Sequence, residues 1–371
     1  MRTTATMLAL GAATAVLSWA CPASAGQIVM KDGSSIDRIE VTDAGTDQVK
    51  FKQAGSTQSR PSSDVEIIFP TFDSTLARGI NYLREGDTEK AIQYFQRVIG
   101  NRRKKEAQPF GQFFLAEAYA ATGKSREAVQ AYDECAAQYA SHFCAPLSLE
   151  RAAKMLSGSQ ALARYEKLAS GKYGNTWKEV GQYGQAIGLL NSGKHDEARS
   201  IFSQLSRARD KSIQALANCA RAHCDFLGGK KSDAERTFRS VSTDPQASGA
   251  AKGYAWTGLG LCKKGSDDGE ALLCFLRGLL LYPSNPQRAI AGKEAGAIAK
   301  AKSLGGDRRL THLGRAGVSL SDYQGKHPEA ELMKRTLQQA SAGIVQEFGP
   351  KLLTKIRDPE AQADLEFTMA D

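Results

Sequence analysis

Residues Ala120 to Tyr132 read AATGKSREAVQAY, and the fold turns on whether Gly123-Lys124-Ser125 cradles a phosphate or closes a helix. A phosphate-binding loop needs a second glycine five residues earlier, after a buried strand, so that successive backbone N–H groups can curl around the anion. Ala118 stands there instead, and the preceding FGQFFLAEAYAAT has helical spacing. The Gly-Lys pair therefore reads as a turn between helices, and no nucleotide is expected.

Working outward, the same glycine recurs. Gly86, Gly123, Gly158, Gly193, Gly229 and Gly265 are separated by 37, 35, 35, 36 and 36 residues. After each comes an alanine followed four residues on by an aromatic: Ala91/Phe95, Ala128/Tyr132, Ala161/Tyr165, Ala198/Phe202, Ala234/Phe238 and Ala271/Phe275. Seven residues before five of the six glycines lies a small residue, namely Gly79, Ala116, Ala186, Ala222 and Gly258. Small residues let two helices approach closely, the glycine turns the chain, and the aromatic fills the space towards the next unit. Such a hairpin cannot bury its apolar face alone, so hairpins stack into a solenoid.

These residues resemble the tetratricopeptide repeat, whose period is about 34 residues. The match is best at Gly79, Tyr82, Gly86, Ala91 and Phe95, and at Leu115, Ala116, Tyr119, Gly123, Ala128 and Tyr132. The resemblance implies a mainly α fold, a right-handed α-α superhelix, of about six hairpins over 70–284. The third unit departs from it, with Arg151 in the small position and a shortened turn at Ser157-Gly158-Ser159. Chaperone-binding members hold a carboxylate with Lys, Asn and Arg in their groove; here Leu76, Ile80 and Phe114 occupy the matching places, so that activity is not implied.

The ends differ in texture. Arg2, the apolar run Met7 to Trp19 and Ala23-Ser24-Ala25 form the n-region, h-region and cleavage site of a signal peptide over 1–25. Ser18-Trp19-Ala20 does not suit lipidation of Cys21, so soluble export, periplasmic or secreted, is expected. Over 26–69, QIVM, SSIDRIEV, QVKFK and SSDVEIIF are β-rich runs between turn residues. They form a small antiparallel module, a partly closed barrel, similar to Sm-like barrels; in an exported chain this implies docking rather than RNA binding. Beyond Pro283, an alanine-rich helix caps the array over 285–304, and 305–371 is a helical extension with a frayed acidic tail.

Chemistry is sparse. The net charge of +9 suits acidic partners, lipid headgroups or nucleic acid alike, and Arg102-Arg103-Lys104-Lys105 reads as a solvated loop. Cys219-x-x-x-His223-Cys224 offers at most two ligands on one helical face, where structural zinc needs four. His142-Phe143-Cys144 could be drawn as base and nucleophile, but a disulfide or buried thiol is simpler. No cofactor or metal is implied. Six cysteines remain after leader removal. Cys262 and Cys274 lie level across the Gly265 turn, and Cys135 and Cys144 across a turn near residue 140, so both pairs are disulfide candidates. Cys219 and Cys224, five apart on one helix, are expected to stay unbonded.

The expectation is an exported, non-catalytic scaffold or adaptor of the cell envelope. By repeat register, Phe110, Phe113, Phe114 and Glu117 of the second unit would face the concave groove beside Leu76 and Ile80 of the first. An aromatic cluster with one carboxylate suits an apolar protein or peptide segment. The competing account of the same residues is packing between hairpins. An accessory subunit of an envelope enzyme or assembly machine is the alternative function, and an enzyme the third. Nucleic acid is not the expected partner, and oligomeric state is not read.

Overall fold

All six repeat glycines adopt the left-handed backbone that the turns require, with φ from +59° at Gly158 to +83° at Gly86. At Gly123 the preceding chain is helical. Lys124 N donates to Tyr119 O (3.0 Å), which closes a helix end. The computed structural model describes residues 26–31, 34–282 and 284–300. The leader, Pro283 and the extension from 301 onward, with the expectations placed on them, lie outside the described residues. Two compact units, ending and beginning at Gly193 and Lys194, are described in turn.

The first unit opens with β1 (Gly26–Met30), β2 (Ser35–Ala44), β3 (Gln48–Gln53), β4 (Ser56–Pro61), a 3-10 turn (Ser62–Asp64) and β5 (Val65–Phe69). The strands pair antiparallel in the order β4-β3-β2-β1-β5. Since β4 and β5 are the two ends of that order, the sheet is open, and the expected barrel closure is corrected. β3 shows why one face turns inward: Val49 and Phe51 are buried while Gln48, Lys50 and Lys52 are exposed. On β1 and β5 buried residues run consecutively, as in Val65 and Ile67 to Phe69, because helices cover their second face.

Those helices are α1 (Ser74–Arg84), α2 (Thr88–Gly100), α3 (Gln108–Ala121), α4 (Ser125–Gln138), α5 (Cys144–Lys154), α6 (Gly158–Ala169) and α7 (Asn175–Asn191). Each packs on its sequence neighbours, and α3 also meets α1 and α5. Asp73 caps α1 by accepting from Leu76 N at 2.8 Å. Gly79 is small for a reason: a Cβ there would lie 2.6 Å from the Phe95 ring. In the third repeat, Ala161 and Tyr165 are only half-buried, where the other repeat alanines are at 0% exposure.

The second unit holds α8 (His195–Leu205), α9 (Lys211–Leu227), α10 (Lys231–Thr243), α11 (Gly249–Lys263), α12 (Asp268–Leu276), a π-helical turn (Arg277–Leu281) and α13 (Arg288–Lys300). Gly258 of α11 faces the Phe238 ring of the preceding repeat, 2.4 Å from a would-be Cβ. The alanine-rich α13 buries Ala291, Ala295 and Ile298 against Leu272 and Phe275 of α12.

Candidate functional site

In the first unit, the faces of α1, α3, α5 and α7 that would form a ligand groove are filled by the protein's own sheet. Phe114 is sandwiched between Phe69 of β5 and Phe95 of α2, both ring centroids 5.7 Å away and nearly parallel. The Arg84 guanidinium of α1 lies 4.1 Å over the other aromatic partner, Phe69, and donates to Gln27 Oε1 of β1 at 3.2 Å. On α7, fully buried Trp177 donates from Nε1 to Ser62 Oγ at 2.6 Å. The turn before α5 joins the sheet directly: Phe143 N donates to Ala44 O at 2.7 Å, and Gly45 bridges His142.

Charge completes the seat on α5. Arg151 Nη2 donates to Glu66 Oε1 of β5, while its Nε lies 3.5 Å from Glu117 Oε1 of α3, which also accepts from Tyr132 OH at 2.6 Å. Beside it, Glu150 takes Lys31, the residue after β1, and Lys154, each at 2.8 Å, and Lys31 Nζ stands 5.0 Å from the Trp177 ring centre. Burial works against each of these charges, but opposite charges outweigh it. The Arg151 pKa is raised by Glu66 and Glu117; that of Glu66 is lowered, first by Arg151; that of Glu150 is lowered by Lys154 and Lys31.

All six residues expected to line an open groove are therefore inside. Leu76, Ile80, Phe110, Phe113, Phe114 and Glu117 have exposures of 0 to 6%, and the expectation that they meet a ligand is corrected. Phe113 lies edge-on to Phe114 and beside Tyr132; Phe110 lies edge-on to His142, 4.8 Å between centres. Groove-lining and core aromatics look alike in sequence, because burial here comes from a module joined through β5. The residues that hold the sheet, Lys31, Ser62, Glu66, Glu150, Arg151 and Trp177, were not singled out as a site. One signal was present: Arg151 stands where the repeat calls for a small residue.

The candidate chemical groups are quiet. His142 Nδ1 accepts from Cys144 N at 3.2 Å. Burial lowers the His142 pKa to about 4 and pushes the Cys144 thiol well above its usual value, so neither is poised for thiolate–imidazolium chemistry. The six cysteines are free thiols in this structure, so neither the expected Cys262–Cys274 bond nor the expected Cys135–Cys144 bond is formed in it. Cys262 Sγ faces Lys231 O at 4.0 Å and Cys274 Sγ faces Glu270 Oε1 at 3.7 Å, so the two sulfurs serve different neighbours. The Cys144 thiol neighbours Cys135, whose Sγ donates to Pro109 O at 3.7 Å. In the second unit, Cys219 Sγ donates to Ala251 O at 3.5 Å and His223 Nδ1 lies 3.2 Å from Tyr254 OH. Among the described residues no group of three or more His, Cys, Asp or Glu side chains is placed to hold a metal ion.

Consecutive helical hairpins with glycine turns and alanine–aromatic packing define a repeat scaffold. The family model described as "Tetratricopeptide repeat" matches residues 73–103 and 113–142, and the chain carries tetratricopeptide repeats. Among solved structures it is similar to a tetratricopeptide repeat protein from Parabacteroides merdae ATCC 43184. The identity is 14%, the match covers 80% of this chain and 97% of that one, and the TM-score is 0.43. No curated protein matches.

Proposed function

We propose that this protein is an exported, non-catalytic adaptor of the cell envelope that holds a protein segment on its second unit. Tetratricopeptide repeats are protein-interaction scaffolds. The leader-like residues 1–25 support export, and among the described residues no helix is long and apolar enough to cross a membrane.

The observation that carries the reading is an apolar row left open on α9. Leu216 and Phe226 are half-buried and Leu227 is 45% exposed, with His223 braced by Tyr254 between them. Leu216, His223 and Leu227, seven and four residues apart, share one helical face. α9 is the first helix of its hairpin, which in this family faces the ligand; in the first unit that position is taken by the sheet.

Capture of proteins from an envelope fraction tests the reading. The full chain should retain a defined partner that Leu216→Ser with Leu227→Ser loses at unchanged melting temperature. Equal capture by the variant removes the α9 surface. Catalytic turnover by the purified protein would replace the adaptor reading altogether.

A further inference from the structure

A second surface lies on the first unit, where the turn between α2 and α3 meets the start of α1. Arg102, Arg103, Lys104 and Lys105 are all exposed. Beside them is Phe72, 49% exposed. The two features are joined physically. Lys104 Nζ lies 2.5 Å from Asp73 Oδ2, so the basic turn is pinned to the residue next to Phe72.

The turn is built rather than loose. Arg103 N donates to Asn101 Oδ1 at 3.1 Å, Lys104 N to Asn101 O and Ala107 N to Lys104 O, each at 3.1 Å. Gln108 Nε2 clasps Ile99 O and Asn101 O at 3.0 and 3.1 Å. Phe72 is braced from behind by Phe110, edge-on at 5.9 Å. Four cations and one ring are thus held on one tip, with Asp73 taken up by Lys104 and Glu106 as the neighbouring exposed acid.

We propose that this tip docks on an anionic lipid surface, Phe72 entering the headgroup boundary while Arg102, Arg103 and Lys105 meet lipid phosphates. A bilayer offers a continuous anionic plane above an apolar layer, which satisfies both features at once. A single-stranded nucleic acid instead favours a track of cations with successive stacking rings, and this tip has one ring on a single turn. An interfacial tip of this size gives reversible attachment.

Sedimentation of the purified full chain with vesicles tests the proposal. Vesicles of equal parts phosphatidylglycerol and phosphatidylcholine should bind the protein, and phosphatidylcholine vesicles should bind it much less. Arg103→Ala with Lys105→Ala should weaken binding to the anionic vesicles about thirtyfold, at roughly fivefold per cation removed. Phe72→Ala should weaken it about tenfold. Lys104 is left in place because it supports the α1 cap, so melting temperatures should stay unchanged. Equal binding to both vesicle types, full binding by the variants, or release of vesicle-bound protein by duplex DNA would each overturn the proposal.

Discussion

Arg151 of α5 and Glu66 of β5, 85 residues apart in the chain, form an ion pair that fastens the sheet into the helical groove. Arg151 is 9% exposed at its side chain and Glu66 27%, and Glu117 shares the guanidinium from the other side. Removing one partner from such a pair leaves the other charge buried and uncompensated. Arg151→Ala should cost about 3 kcal/mol in denaturant unfolding, since Glu66 and Glu117 are then left facing each other. Arg151→Met with Glu66→Gln should recover much of that loss. If the single variant unfolds like the wild type, the pair is not what seats the sheet.

Acid should loosen the same seam in two stages. Burial holds the His142 pKa at about 4 against an ordinary 6.5, so below pH 6.5 the unfolded chain takes up a proton that the folded chain refuses. Stability therefore falls from pH 6.5 down to about 4, by roughly 3 kcal/mol. The lowered pKa values of Glu66 and Glu150 give stability that is present above their ordinary values, near 4.5, and lost as pH falls through the folded ones. His142→Asn, which keeps an acceptor near Cys144 N, should flatten the melting-temperature profile between pH 6.5 and 4 while leaving the lower stage. An unchanged slope would assign that stage to other groups.

Two glycines should fail for different reasons. Gly79→Ala places a methyl group 2.6 Å from the Phe95 ring and should cost about 1–3 kcal/mol through overpacking. At Gly123 nothing lies within 4 Å, but φ is +74°, so Gly123→Ala should cost about 1 kcal/mol through backbone strain. Thermal melts of both in a Phe95→Leu background separate the causes. The smaller side chain should relieve the first substitution and leave the second untouched.

The thiols can be ranked by what their sulfurs touch. Treatment of the folded protein with a thiol–disulfide oxidant, followed by non-reducing peptide mapping, should link Cys135 to Cys144 if it links any pair, because those two thiols are neighbours. No peptide should join Cys262 to Cys274, whose sulfurs turn to Lys231 and Glu270. Recovery of the second peptide in good yield would show that α11 and α12 rearrange.

The repeats were legible because their physics is local. A turn needs Gly86 or Gly123, a close crossing needs Gly79 or Gly258, and each requirement leaves a mark at fixed spacing. β4 was harder to see, since STQSRP has no aromatic or branched aliphatic side chain; it is held by its backbone ladder with β3 and by a Gln58–Gln53 side-chain hydrogen bond. The filled groove was hidden for a deeper reason. Phe110, Phe113 and Phe114 have the same composition and spacing whether they wait for a ligand or lie beneath a sheet. Only a contact to a distant segment decides, as Phe69 does for Phe114. Arg151 was the visible exception, and its mismatch with the repeat marks where that distant segment sits.

The seated sheet has a consequence for how this array could grow. Repeat proteins ordinarily gain or lose units by duplication, because each unit answers only to its neighbours. Here α1, α3, α5 and α7 each owe a particular contact to one sheet, from Arg84 with Gln27 to Trp177 with Ser62, 115 residues apart. A hairpin inserted anywhere between α1 and α7 would carry every later partner one unit beyond its counterpart, leaving Arg151 or Trp177 opposite the wrong strand. The sheet acts as a ruler laid along the first helices. Within its reach the number of repeats is fixed, and lengthening by duplication is left to the α8–α13 stretch.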